Sequence, residues 1–273
     1  MAANSMIELS DQELVELSRF VEEKYGIVLI KKKMLIQGRL SHMLRERGIT
    51  SFRDYMNILY KDTTNTEITS FLNKITTNHS YFMRESEHFD FLTKQVLPYL
   101  EANRPSKVLR IWSAGCSAGQ EAYTVAMAID EYFGTRKAGW DTSILATDIS
   151  MNVLSRAKAA VYPAADIKDI SPQWRSKYFV QKGADQFQVC DKIRKEVIFR
   201  PFNLMDPIPF KNPFDLILCR NVMIYFDMET KEKLVERFYN HTVSGGYLFI
   251  GHSEGINRSA TRFQYIKPAI YRK

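Results

Sequence analysis

Residues 107–119 read KVLRIWSAGCSAG, and this stretch decides the fold class. Its apolar part is typical of a buried strand, and the small residues after it are typical of a tight turn before a helix. A helical pattern then covers about residues 118–133. The alternation continues, with strand patterns in TSILATDIS (142–150), EVIFRPFNL (196–204), FDLILCRNV (214–222) and YLFIGH (247–252), and helical patterns over about residues 151–160 and 227–242. Such alternation predicts an α/β fold with a parallel sheet and helices on both of its faces.

The sequence before residue 76 carries helical patterns and no strand pattern. Ser10 and Glu13 form a capping box at the start of the first helix, and Gly26 ends that helix. A second helix covers about residues 32–47, and two shorter ones follow. We therefore predict a helical N-terminal domain over residues 6–75, a linker over 76–91 and an α/β domain over 92–273. Residues 161–195 interrupt the α/β alternation with weak, polar strand patterns, which we interpret as an inserted β subdomain.

Composition narrows the class of protein without naming its partner. The chain has 38 Lys and Arg against 31 Asp and Glu, a net charge of +7, which favours an acidic partner: nucleic acid, anionic lipid or an acidic protein surface. No run approaches the roughly 20 apolar residues of a membrane span. The 3 cysteines are far apart, which argues against disulfides and fits a reducing cytoplasm. The histidines lack ligand spacing, so we predict no metal.

The turn after the first strand is a candidate cofactor site. Gly115 and Gly119 are four residues apart, so the GxGxxG pattern that binds a pyrophosphate is absent. Asp148 ends the second strand, where an acid can accept hydrogen bonds from both ribose hydroxyls of an adenosine or help to cap the next helix. Together these features favour S-adenosylmethionine over NAD. Glu121 could face the cationic methionine end of that cofactor, although its spacing fits a surface glutamate better.

Six segments are more specific than any of these patterns. They occur in this order: TTNHSYFMRESEHF (76–89), GCSAGQEAYTVAM (115–127), ATDIS (146–150), FNL (202–204), CRNVMIYF (219–226) and GGYLFIGHSE (245–254). The set resembles the CheR family of chemotaxis receptor glutamate methyltransferases. The resemblance runs from about residue 9 to the C-terminus and includes the helical domain and the insertion. It implies a Rossmann-like class I methyltransferase fold with an all-α N-terminal domain and a small β insertion.

The resemblance also implies a role for each matched position. Asn78, Ser80 and Arg84 would close over the cofactor, with Arg84 near its carboxylate. Glu121 would pair with the cofactor's amino group, and Asp148 would hold its ribose. Asn203 and Leu204 would flank the adenine. Arg220 and Asn221 would line the reacting end and act in catalysis, together with Tyr225 at the acceptor pocket. Ser80, Met83, Gln120 and Ala122 depart from the residues usual in the family, but none removes a proposed contact.

The function implied by the resemblance is methyl transfer from S-adenosyl-L-methionine to glutamate side chains of bacterial chemoreceptors. The products are glutamyl methyl esters, used in chemotactic adaptation, and S-adenosyl-L-homocysteine. We expect a cytoplasmic monomer that neither inserts into membranes nor binds nucleic acid. The basic side of the helix at Lys32–Arg47 is the candidate surface for the receptor's helical bundle; a solvated amphipathic face is the alternative. The insertion lacks a run of glycines, which favours an enzyme that needs no receptor tether.

Two other functions compete with this one. A nucleic-acid methyltransferase would suit the basic composition, but amino-methylating enzymes of that class usually carry [ND]PP[YF] after the fourth strand, where this chain has RNVMIYF. A receptor-binding scaffold without catalysis could retain the same fold. Cofactor binding would distinguish a scaffold from an enzyme, and the salt dependence of any nucleic-acid binding would test the first alternative.

Overall fold

The computed structural model describes residues 6–76 and 80–273. The chain divides into two compact units. The N-terminal unit comprises Met1–His79 with Tyr225–Thr230, and the C-terminal unit comprises Ser80–Ile224 with Lys231–Lys273. None of the helices within the described ranges has the length and hydropathy needed to cross a membrane.

The N-terminal unit is built from four helices: α1 (Asp11–Tyr25), α2 (Lys33–Glu46), α3 (Phe52–Lys61) and α4 (Thr66–Ile75). The predicted capping box is present, since the Ser10 side chain accepts from the Glu13 N–H and the Glu13 carboxylate accepts from the Ser10 N–H. Gly26 ends α1 with φ of 71°, a backbone conformation that glycine adopts without steric cost. Leucines and aromatic rings from all four helices are buried together and form the core of this unit.

The C-terminal unit alternates strands and helices as the sequence predicts. It begins with a helical stretch made of α5 (Glu87–Phe91), a π-helical segment (Leu92–Val96) and α6 (Leu97–Asn103). The remaining elements are β1 (Ile111–Ala114), α7 (Gln120–Phe133), β2 (Ile144–Asp148), α8 (Met151–Ala159), β3 (Val161–Pro163), α9 (Pro172–Tyr178), β4 (Phe179–Gln181), β5 (Gln186–Val189), α10 (Asp191–Arg194), β6 (Val197–Pro201), β7 (Phe214–Cys219), α11 (Met228–Asn240), β8 (Thr242–Ile250), β9 (Gln264–Lys267) and β10 (Ile270–Arg272). Short 3-10 turns lie at Gly134–Gly139, Ala164–Ile167 and Met223–Tyr225.

Seven strands form one sheet in the order β6-β2-β1-β7-β8-β10-β9. The strands from β6 to β8 pair in parallel, and β10 is antiparallel to both β8 and β9. This mixed sheet confirms the predicted fold class, including the antiparallel C-terminal strands. A separate antiparallel sheet with the order β3-β5-β4 lies within residues 161–189, inside the segment interpreted as an insertion. The exact domain boundaries stay a prediction.

Trp112 in β1 anchors the centre of the sheet. Its indole ring is fully buried, and Nε1 donates to Thr147 Oγ1 at 2.9 Å. The rings that surround it are those of Phe202, Phe210, Phe214 and Phe238. A buried aromatic ring of this size removes a large apolar area from water while its N–H keeps a partner. The central strands are therefore fixed, and the loops at their carboxyl ends start from defined positions.

Candidate active site

The candidate site residues lie where parallel strands end. Gly115 follows β1, Asp148 ends β2, Arg220 follows β7 and Gly251 follows β8. Because β2, β1, β7 and β8 are parallel neighbours, their carboxyl ends lie along the same edge of the sheet. Ligands of open α/β sheets bind in the crevice outside this edge.

The two glycines of the β1–α7 turn make room for protein side chains. Gly115 has φ of 85°, and a Cβ atom there would lie 2.4 Å from Val222 Cγ2. Gly119 has φ of 91°, and a Cβ atom there would lie 3.1 Å from Phe199 Cζ. Both residues therefore need glycine for their backbone conformation and for close packing. The packing role that glycine turns commonly have is present here, and a close approach to a ligand stays a prediction.

Asp148 organises the ends of β1 and β2 through backbone contacts. Its Oδ2 atom accepts from the Ser117 N–H at 2.9 Å, and Oδ1 accepts from the Ser150 N–H at 2.9 Å. Ser150 caps α8 with its own side chain, so Asp148 supports the cap indirectly. Burial raises the pKa of Asp148 above its ordinary value, although hydrogen bonds from backbone N–H groups oppose the shift. Each carboxylate oxygen can accept more than one hydrogen bond, which leaves capacity for ribose hydroxyls.

Glu121 lies in the first turn of α7 and points into the site. Its Oε1 atom accepts from Ser113 Oγ at 2.6 Å, and its Oε2 atom accepts from Arg220 Nη1 at 2.9 Å. The side chain is 13% exposed. The alternative that Glu121 is a surface glutamate is therefore wrong: its carboxylate is held by a hydroxyl and a guanidinium group.

Arg220 is the centre of a buried charge cluster. Its side chain is 2% exposed and lies between Glu85 and Glu121, with Nη2 at 3.2 Å from Glu85 Oε2. Nη2 also donates to the carbonyl oxygen of Arg84, and the guanidinium carbon lies 5.4 Å from the centre of the Phe89 ring. Two carboxylates thus face one guanidinium group. A buried charge is tolerated when it is paired and hydrogen-bonded in this way.

Asn221 follows directly and has φ of 61°, in the left-handed region that non-glycine residues rarely adopt. Its Nδ2 atom donates to Glu85 Oε1 at 3.2 Å, and its backbone N–H donates to Glu254 Oε2 at 2.8 Å. Burial alone would raise the pKa of Glu85, but the charge of Arg220 and the hydrogen bonds from Asn221 and His252 hold it below its ordinary value. Glu85 is therefore an anion that joins Arg220 to Asn221.

Other predicted cofactor residues lie in turns of the C-terminal unit. The guanidinium carbon of Arg84 lies 5.9 Å from the centre of the Tyr81 ring. Asn203 Oδ1 accepts from the Met205 N–H at 3.1 Å, which shapes the turn after β6. Leu204 is buried, and its carbonyl oxygen accepts from Arg237 Nη2 at 2.6 Å. Ser80 is partly exposed at the start of this unit. Asn78 lies outside the described residues.

Tyr225 is not grouped with the other predicted site residues. It belongs to the N-terminal unit, where its carbonyl oxygen accepts from the Val28 N–H at 2.9 Å. The Lys32 ammonium lies 4.9 Å from the centre of the Tyr225 ring. Its predicted role at the acceptor pocket stays a prediction.

Sequence reasoning gave no role to Glu85, His88, His252 and Glu254. Glu85 and His88 lie in the segment TTNHSYFMRESEHF, and His252 and Glu254 lie in GGYLFIGHSE, so the motifs contained a signal for all four. His88 is fully buried, and burial lowers its pKa to about 3, so the imidazole is neutral. Potential ligand atoms of Glu85, His88 and His252 lie within 4.8 Å of one another. Glu85 already accepts from Arg220 and Asn221, and the absence of a metal stays a prediction.

The chain is similar to known proteins over nearly its whole length. Residues 78–271 match the family model described as CheR methyltransferase, SAM binding domain, and residues 12–76 match CheR methyltransferase, all-alpha domain. The chemotaxis protein methyltransferase of Borreliella burgdorferi is 44% identical over 275 residues, covering 99% of this chain and 97% of the relative. That of Escherichia coli is 35% identical over 269 residues, covering 96% and 91%. A probable chemotaxis protein methyltransferase of Rhizobium etli is 37% identical, covering 90% and 94%.

These matches confirm S-adenosylmethionine as the cofactor and methyl transfer as the type of reaction. They cover the helical N-terminal segment and the α/β segment in the same chain. The chain belongs to the CheR family of S-adenosylmethionine-dependent methyltransferases.

Proposed function

We propose that the protein methylates glutamate side chains of bacterial chemoreceptors, forming glutamyl methyl esters for chemotactic adaptation, and that it acts as a monomer in the cytoplasm. The relatives carry the name chemotaxis protein methyltransferase. The observation that carries the proposal within this chain is the buried cluster of Glu85, Arg220 and Glu121, which adjoins the loop after β1 at the carboxyl edge of the sheet.

The residues present fit the cofactor by charge. S-adenosylmethionine carries a sulfonium and an ammonium group. The matching carboxylates are those of Glu121, in the first turn of α7 and held by Ser113 of β1, and of Asp148, at the end of β2. We propose that Asp148 binds the ribose hydroxyls and that Glu121 binds the ammonium group, sharing its Oε2 atom with Arg220. Asn203 and Leu204 would flank the adenine, and Asn78, Ser80 and Arg84 would close over the cofactor, with Arg84 near its carboxylate. When bound, the cofactor supplies an electrophilic methyl group.

The acceptor needs positioning more than activation. A glutamate with an ordinary pKa of about 4.3 is already ionised at neutral pH, so the reaction needs no general base. Holding the carboxylate oxygen in line with the methyl carbon and the sulfur can contribute effective molarities of about 10⁵–10⁸ M. Arg220 is already balanced by Glu85 and Glu121. It would therefore orient the acceptor without binding it too tightly, which matters because the negative charge of the acceptor is consumed as the ester forms.

The basic side of α2 is the proposed receptor-binding surface. Several of its cations already have partners within the N-terminal unit: Lys33 pairs with Asp11 at 2.6 Å, and Arg47 pairs with Glu67 at 2.7 Å. Arg39 donates to the Lys74 carbonyl oxygen at 3.1 Å. These pairs are exposed or partly exposed and weak, so an acidic receptor helix could compete for them. Charge complementarity would chiefly set the encounter rate and the orientation of the receptor.

Incubation with labelled S-adenosylmethionine and receptor-containing membranes tests the proposed function. We expect base-labile label on the receptor, because a glutamyl methyl ester releases methanol in alkali. Asn221→Ala should reduce that label strongly, since the variant removes the side chain that joins the site turn to Glu85. Base-stable label, label on added nucleic acid instead of receptor, or an unchanged rate in Asn221→Ala would contradict the proposal.

A further inference from the structure

Glu254 is a buried carboxylate in the loop after β8. The residue is 7% exposed. Its carboxylate accepts hydrogen bonds from the backbone N–H groups of Asn221 at 2.8 Å and Ile224 at 3.2 Å. The Gly251 N–H also donates to it, to Oε2 at 2.5 Å. A carboxylate is taken out of water at a large cost unless several strong hydrogen bonds compensate, and here three backbone donors converge on one side chain.

Two of these donors, Asn221 and Ile224, come from a turn with an uncommon backbone. Asn221 adopts a φ of 61°, which costs roughly 1–3 kcal/mol for a residue other than glycine and persists only where the surroundings hold it. The N–H groups of residues 221 and 224 both donate to Glu254. The carboxylate therefore stabilises the one backbone conformation in which these N–H groups converge.

This turn carries the groups of the candidate active site. Arg220 begins the turn and its side chain donates to Glu121, while the Asn221 side chain donates to Glu85. Gly251 closes the other side, since a Cβ atom there would lie 2.6 Å from Asn221 Nδ2 and 2.9 Å from Glu254 Oε2. A small displacement of Glu254 would therefore move the turn against its neighbours and shift both the guanidinium group and the amide.

We infer that Glu254 is a positioning residue for methyl transfer: its carboxylate holds the 220–224 turn so that Arg220 and Asn221 face the reacting groups. The inference rests on the proposed function for the identity of the reaction, but not for the contacts. Glu254 acts through the backbone of the turn, whereas Asp148 and Glu121 are proposed to contact the cofactor directly. Loss of the carboxylate should therefore lower turnover more than cofactor affinity.

Glu254→Gln is the test variant, because the amide keeps one acceptor oxygen and turns an NH₂ group towards backbone donors. A displacement of about 1 Å can cost on the order of 100-fold in rate, so we expect kcat for receptor methylation to fall about 10- to 100-fold. The affinity for S-adenosylhomocysteine should change by no more than about 3-fold, since Asp148 and Glu121 keep their contacts. Backbone amides of residues 221–224 should exchange hydrogen faster than in the parent protein.

Asp215→Asn is the matched control. Asp215 is also a buried carboxylate that accepts from a backbone N–H, that of Arg110 at 2.8 Å, and it pairs with Arg104. It lies at the start of β7, at the opposite end of that strand from the site. The control should lose stability but keep kcat and the exchange rates of the 221–224 amides. Glu254→Asp retains an acceptor-only group on a shorter side chain and should recover part of kcat.

The outcomes separate the inference from the proposed function. Equal kcat losses in Glu254→Gln and Asp215→Asn, or unchanged amide exchange at residues 221–224, would overturn the positioning role. Complete loss of S-adenosylhomocysteine binding in a folded Glu254→Gln variant would overturn it as well, because Glu254 would then belong to the cofactor site. A parent protein that leaves receptors unlabelled contradicts the proposed function alone, and the amide exchange still decides the role of Glu254. If Glu254→Gln does not fold, Glu254→Asp is measured in the same way.

Discussion

At the scale of single residues, the site depends on how Arg220 is balanced. Glu85 and Glu121 face its guanidinium group from two sides, and Ser113 fixes Glu121 from a third direction. Hydrogen bonds to charged groups contribute roughly 1.5–3 kcal/mol each, more than neutral ones. Removing one charge from this cluster should therefore measurably weaken binding of the cofactor that we propose beside it.

Glu121→Gln should weaken S-adenosylhomocysteine binding by about 10- to 100-fold, the equivalent of roughly 1.5–3 kcal/mol. The variant removes the negative charge proposed to face the cofactor's ammonium group and leaves Arg220 with one carboxylate partner. Isothermal titration calorimetry measures the change. Glu131→Gln, on the same helix but paired with Lys177, is the control and should bind normally. Equal affinities in the two variants would place the ammonium elsewhere.

His88 should make folding stability depend on pH. Burial lowers its folded-state pKa to about 3, whereas a histidine in the unfolded chain has a pKa of about 6.5. Between these values the unfolded chain binds a proton that the folded protein does not, so stability falls as the pH drops below about 6.5. The slope from this residue is at most about 1.4 kcal/mol per pH unit.

Urea unfolding between pH 7 and pH 4.5 measures that contribution of His88. His88→Phe should show a shallower loss of stability towards acid, because its ring fits beside Phe249 and does not titrate. His42→Gln replaces an exposed histidine and should follow the parent protein. Identical slopes in His88→Phe and the parent protein would contradict the prediction.

At the scale of elements, the β1–α7 turn and the loop after β7 are built against each other. Gly115 leaves the space that Val222 Cγ2 occupies, and the positive φ of Gly115 is one that alanine adopts with strain. Two contacts therefore position the loop that carries Arg220 and Asn221: the packing of Val222 against Gly115 and the hydrogen bond from the Asn221 N–H to Glu254. A larger side chain at position 115 should therefore displace Val222 and, with it, the neighbouring Arg220 and Asn221.

Gly115→Ala should lower the free energy of unfolding by about 1–3 kcal/mol, from overpacking and backbone strain together. Val222→Ala in the same chain should restore part of the loss, because it removes the Cγ2 atom that the new Cβ meets. Urea denaturation of both variants provides the measurement. Gly183→Ala, where nothing lies within 4 Å of the added Cβ, is the control. A loss that Val222→Ala leaves untouched would show that the contact is not its cause.

Elements and site residues differed in how far they could be predicted from the sequence. The helices and strands follow from local periodicity and caps, such as the capping box at Ser10 and Glu13. Strand-end positions also pointed to Asp148 as a ligand-binding acid. The role of Glu85 depends on a contact with Arg220, 135 residues further along the chain, and no local pattern encodes such a contact. The burial of Glu121 could not be predicted either, because it depends on where β7 places Arg220.

At the scale of the whole molecule, the two units carry separate parts of the proposed function. Asp148, Glu121 and Arg220, which we propose to act on the cofactor and the acceptor, lie in the C-terminal unit, and the proposed receptor-binding surface lies on α2 in the N-terminal unit. If this division is correct, charge changes on α2 should affect methylation of the receptor and leave cofactor binding alone.

Lys33→Glu with Arg45→Glu should slow receptor methylation at low receptor concentration by about 10-fold or more, since charge complementarity chiefly acts on association. S-adenosylhomocysteine affinity should stay within about 2-fold of the parent value. Arg19→Glu with Lys61→Glu makes the same change in net charge on other exposed positions of the N-terminal unit and is the control. Equal rates in both double variants would indicate that the receptor binds elsewhere.

The burial of Arg220 between two carboxylates has a practical consequence for kinetic work. Dissolved ions screen charges that face water, with a Debye length of about 8 Å at physiological ionic strength, but they scarcely reach a side chain that is 2% exposed. Sodium chloride can therefore serve as a selective reagent. If the rate of receptor methylation declines as the salt concentration rises while the affinity for S-adenosylhomocysteine stays constant, the decline reports on the association of enzyme and receptor. The methyl-transfer step itself is then unaffected by salt.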